Sequence, residues 1–117
     1  MSKHYLFHFA NAVEGQEQEF NKWYDDIHLG DVLAVPGMQA ATRYELQPIE
    51  RSGPPAPGRY LAVYEFDGEP SEVMAALSTH AKNMFITPAM SKERGPSHIF
   101  REVTPRRVAA AGRGSHK

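Results

Sequence analysis

The stretch 59-RYLAVYEFD-67 carries apolar side chains on both of its faces, and this limits what the chain can fold into more than any other feature. Tyr60, Ala62, Tyr64 and Phe66 fall on one side of an extended backbone, and Leu61, Val63 and Glu65 on the other. A period of two predicts a strand. A strand that is apolar on both sides belongs in a sheet that is covered on both sides. Residues 4–10 repeat the pattern: Tyr5, Phe7 and Phe9 oppose His4, Leu6 and His8. Alternation over 39–48 and, more weakly, over 97–105 predicts two further strands.

Between the strands the period changes. From Gln16, the residues Phe20, Trp23, Tyr24 and Ile27 recur at helical spacing, and the pattern runs to about Ala34, ahead of Pro36 and Gly37. A second helix starts at Glu69-Pro70-Ser71-Glu72 and continues through Val73, Met74 and Leu77. Residues 51–58, RSGPPAPG, read as a loop, 82–96 as irregular cover, and the tail from 109 as flexible. The order strand, helix, strand, strand, helix, strand is the split βαβ or ferredoxin-like α+β arrangement, here as one domain over 1–108. Helices cover one face of such a sheet. The other apolar face calls for a second copy, packed sheet to sheet into a homodimer.

Composition removes several classes of function. The 117 residues carry a net charge of −1 and no cysteine. There is no basic field for nucleic acid, no thiolate nucleophile and no cysteine-ligated metal. The first residues contain no apolar run of membrane or signal-peptide length, so a cytoplasmic protein is expected, with no membrane partner. His4 and His8 share a strand face, but no third ligand has a convincing position, so no metal is expected.

The run 20-FNKWYDDIHLGDVLAVPGMQAATRYEL-46 resembles the dimeric α/β-barrel superfamily, and within it the EthD-like and methylmuconolactone-isomerase-like proteins. The shared features are an aromatic-rich first helix, a histidine near its end, a Pro-Gly turn, and a strand bearing Arg-Tyr or Lys-Tyr. The resemblance implies a dimeric α/β barrel. It also implies chemistry ranging from isomerases and cyclases to cofactor-free and haem-type oxygenases, so the site must decide. In the isomerase-like relatives the tyrosine matching Tyr44 lines the pocket beside the histidine. In haem-binding relatives a histidine in the region of His80 holds iron. Their accompanying Asn and Trp constellation has no match here.

On a helical wheel at about 100° per residue, Phe20, Tyr24, Ile27 and Asp31 form the buried stripe, with Trp23 on one flank and His28 on the other. Asp25 and Asp31 are each three residues from His28, and either carboxylate can fix the imidazole tautomer for proton transfer. The expected catalytic set is His28, Tyr44, Asp31 and Asp25. Trp23, Tyr24, Phe7, Phe9, Tyr64, Met84, Phe85 and His80 are the expected substrate-binding set. The expected function is a cofactor-independent isomerase, cyclase or lyase acting on a small oxygenated aromatic, polyketide-like or lactone substrate. Two alternatives are a non-catalytic dimeric binder of small molecules and a cofactor-free or haem-type monooxygenase.

Overall fold

The computed structural model describes residues 3–50, 52–93 and 95–111. The elements are β1 (His4–Ala10), α1 (Glu17–Trp23), a π-helical turn (Tyr24–His28), α2 (Leu29–Leu33), β2 (Met38–Glu45), β3 (Tyr60–Phe66), α3 (Pro70–Ala81) and β4 (Ser97–Arg101). All strand pairs are antiparallel, and the spatial order is β2-β3-β1-β4. This is the ferredoxin-like order expected from the sequence.

Register decides which side chains share a face. Tyr64 sits opposite both Leu6 and Ala41, and Ala62 opposite both His8 and Arg43. These residues, with Tyr60 and Phe66, face the helices. Tyr60, Ala62, Tyr64 and Phe66 are all buried there. The opposite face carries Tyr5, Phe7, Thr42, Tyr44, Leu61 and Val63 and lies open, with Tyr44 53% and Phe100 58% exposed.

The start of α3 follows its sequence signal. Pro70 occupies the first turn, and the Glu69 carboxylate accepts from the Ser71 amide (3.4 Å) and hydroxyl (3.1 Å). The first helix departs from the regular wheel. Its π turn holds one residue more than an α turn, so the inward face continues differently beyond Tyr24. Ile27, expected in the buried stripe, is 43% exposed, Asp31 is half-buried, and Val32 is buried instead. His28 moves from the flank to the inner side.

The described residues of 82–96, which leave out Arg94, have no helix or strand but are tied down. The Val13 amide donates to the Ala89 carbonyl (2.7 Å), and the Ser91 amide to that of Asn11 (2.8 Å). Thr87, Ala89 and Met90 are buried. Residues 112–117 of the expected tail and Arg51 of the expected loop lie outside the described residues. Among the described residues no helix is long and apolar enough to cross a membrane.

Candidate functional site

A cavity of about 200 Å³ lies between the helices and the sheet. The sheet supplies Leu6, His8, Tyr64 and Ser97; the first helix supplies His28 and Val32. Leu77 and Ala81 of α3, with Met84, Ile86 and Met90, close the remainder. Polar groups are few: two imidazoles, one phenol and one hydroxyl in an apolar lining.

The π turn delivers His28, and aromatic rings set its orientation. Its ring stacks on Trp23, with centroids 4.6 Å apart and planes 21° apart, and meets Tyr24 edge-on at 4.9 Å and 88°. Trp23 is itself fixed, because its indole Nε1 donates to the Phe85 carbonyl at 3.0 Å. On the sheet side, His8 Nδ1 shares a hydrogen bond with the Ser97 hydroxyl, which sets the imidazole plane and hence the direction of Nε2.

The Tyr64 hydroxyl donates to that of Tyr24 at 3.3 Å. Burial pushes both phenols above the ordinary phenol range. For Tyr64 the hydrogen bond to Tyr24 adds to the rise, and for Tyr24 the bond from Tyr64 offsets part of it. Both therefore stay protonated near neutral pH and act as neutral hydrogen-bonding groups. Behind Tyr24, the Arg43 guanidinium lies 4.4 Å from the ring centroid. Asp25 (2.7 Å) and Asn21 (2.7 Å) accept hydrogen bonds from it.

The structure brings together only part of the expected site. His28, Tyr64 and Met84 line the cavity, with Trp23 and Tyr24 packed against His28. Tyr44 is corrected: it is on the opposite face of the sheet, because Thr42 and Tyr44 alternate away from Ala41 and Arg43. Phe7 is corrected for the same reason; with Tyr44 it lines a separate, open hollow of about 530 Å³ on that face. Phe9 follows Phe7 by two residues and also faces away from the cavity. Asp25 is engaged by Arg43, and Asp31 is not part of the cavity lining. His80 is exposed at the end of α3, and Phe85 contributes a backbone carbonyl while its side chain is exposed.

The sequence offered His8 as a metal ligand and left open whether it joins the site with His28, and it did not single out Ser97. The available signal was the alternation of β1, which places His8 on the face of buried Leu6. Ser97 follows only from the pairing of β4 with β1, which puts it directly opposite His8.

No protein-family model matches the sequence, and no curated protein matches it. Solved structures do match in fold. The crystal structure of HapK from Hahella chejuensis aligns with a TM-score of 0.55 at 11% identity, over 92% of this chain and 99% of that chain. A point mutant of MhuD, with two manganese protoporphyrin IX bound per active site, aligns with a TM-score of 0.53 at 14% identity, over 92% and 99%. NE2512 from Nitrosomonas europaea, a protein of unknown function, aligns at 0.50 and 19%, over 94% and 98%. In strand order and helix placement alike, the chain shares the ferredoxin-like α+β fold of these structures.

Proposed function

We propose that the protein is a small-molecule enzyme that moves a proton on an oxygenated ring without a cofactor, an isomerase, cyclase or lyase in type. The observation that carries this reading is the convergence of His28, His8 and Tyr64 on one apolar cavity of about 200 Å³. Imidazole is the side chain whose ordinary titration falls near neutral pH, so it serves as base and acid in one cycle. His28 takes a proton from the carbon beside a carbonyl. The Trp23 ring face lies against the imidazolium so formed, an attractive arrangement for a cation. His8, oriented by Ser97, returns a proton at the second position of the substrate. With substrate bound the Tyr64–Tyr24 bond reverses, so that Tyr24 donates to Tyr64 and the protonated Tyr64 hydroxyl, which lines the cavity, donates to the substrate oxygen and polarises it. Pocket volume limits the reacting part to a single ring, since a cavity of about 150 Å³ takes up benzene.

The haem-type alternative fits this site less well. The MhuD point mutant has two manganese protoporphyrin IX bound per active site. A four-ring macrocycle exceeds a cavity of about 200 Å³. The reading also includes a homodimer formed through the open sheet face, where Tyr44 and Phe100 are more than half exposed.

The test is hydrogen–deuterium exchange beside the carbonyl of cyclic enones and butenolides in D₂O, followed by NMR. The wild-type protein should accelerate exchange for at least one member of the panel. His28→Ala should slow it about 10²- to 10⁴-fold with unchanged circular dichroism. Full exchange activity in that variant overturns the proton-transfer role. Binding without exchange by the wild type identifies a non-catalytic binder.

A further inference from the structure

We propose that the site continues past Ile86 and Met90 into a second cleft, and that the ligand is an elongated carboxylate: a small oxygenated ring beside His28, an apolar chain, and a terminal carboxylate at Lys92. This rests on reading the His28 cavity as a ligand site and adds the substrate class to it. A cleft of about 490 Å³ lies next to the inner cavity, and Ile86 and Met90 line both.

Ile86 and Met90 are the residues that the two spaces share. The backbone around them is anchored on both sides, at Phe85 by the Trp23 indole (3.0 Å) and at Ala89 by the Val13 amide (2.7 Å). Met90 is unbranched and rotates about three bonds, and Ile86 is 39% exposed, so little holds it in place. Rotamer changes at a side chain as exposed as Ile86 are fast, whereas buried Met90 gives way through its flexible thioether chain. The inner cavity alone takes one ring, whereas the two spaces together fall within the about 300–1,000 Å³ of typical ligand sites.

The outer cleft also specifies chemistry. Its walls include Val13 and Pro88. Its two hydroxyls are engaged by backbone: Thr87 accepts from the Ala89 amide (3.2 Å) and Ser91 from the Glu93 amide (3.2 Å). Lys92 is the charged residue of the lining, and it takes part in none of the ion pairs found among the described residues. An apolar passage ending at a lysine suits a chain that ends in a carboxylate.

Calorimetric titration of the full chain with 4-hydroxyphenylalkanoic acids of increasing length tests this, with the matching 4-alkylphenols and phenol itself as references. Affinity should rise about threefold to fourfold for each methylene that enters the cleft. Lys92→Met should weaken the longest acids about twofold to fivefold and leave the alkylphenols unchanged. Val13→Trp, filling the outer cleft from a residue that does not line the inner cavity, should preserve phenol binding and abolish the gain with length. Affinity that is flat with length, or indifference to both substitutions, overturns the extended site. Phenol binding sensitive to His28→Ala keeps the proposed function standing in that case. Failure of every probe to bind overturns both.

Discussion

At the scale of single residues, His28 owes its orientation to its neighbours. The same imidazole on an exposed helix face would titrate in water and touch nothing. Here Trp23 stacks on it, and Phe85 in turn holds Trp23. Trp23→Phe keeps an aromatic surface but loses the indole donor. It should lower stability by about 1–2 kcal/mol in urea titrations and reduce exchange activity without abolishing it. The Tyr64–Tyr24 pair gives a pH prediction of definite sign. Both phenols are held above the ordinary value of about 10 by burial. The folded state then keeps protons that the unfolded state releases. Their contribution to stability is complete below about pH 10 and is lost as pH climbs past it toward the folded values. Tyr64→Phe should therefore show a shallower alkaline loss of stability than wild type between about pH 10 and 12, measured by urea midpoints. An equal slope would show that these phenols do not control it. His28 was legible in the sequence because it lay next to aromatic residues at helical spacing. Tyr44 was misplaced beside it, since alternation tells which residues share a face but not which face meets the helices.

At the scale of elements, the π turn is the least readable feature and the most consequential. A wheel at α-helical spacing sends Ile27 and Asp31 inward, yet Val32 is buried and Ile27 exposed. The extra residue is absorbed over Tyr24–His28, where Asp25, Asp26 and Ile27 all face solvent. Removing one of them should restore a regular helix while keeping His28 and Val32 inward, because they then stand three and seven residues after Tyr24. Deleting Asp26 loses an exposed pair with Lys22 at 2.8 Å. Stability should change by less than about 1 kcal/mol, and probe binding should persist. Loss of binding with the fold intact would show that the wide turn itself shapes the cavity. A second element-scale test concerns Gly95 beside β1. A Cβ there would lie 2.6 Å from Phe9 Cβ and 2.7 Å from its carbonyl oxygen. Neither neighbour is a flexible side-chain tip, so Gly95→Ala should destabilise by about 1–3 kcal/mol in thermal or urea unfolding.

For the whole molecule, the open sheet face is the outstanding question of assembly. Leu61 and Val63 lie at its centre, flanked by Tyr44 and Phe100. If two copies pack there, Val63→Glu places an unpaired charge at the centre of the interface. Sedimentation should show a dimer for wild type and a monomer for the variant; a wild-type monomer at micromolar concentration would end the idea. Local order determined much of this protein directly from sequence. Alternation set the four strands, the acidic Pro-containing start set α3, and the order of elements set the ferredoxin-like topology, since each depends on near neighbours along the chain. The tertiary structure alone decided which face of the sheet the helices cover. Both faces are apolar, so burial by itself does not choose between them. That choice put Tyr64 and His8 in the cavity and Tyr44, Phe7 and Phe9 outside it. It also decided the phase of the first helix beyond Tyr24, where packing against the sheet, rather than the regular α-helical period, selects which side chains turn inward.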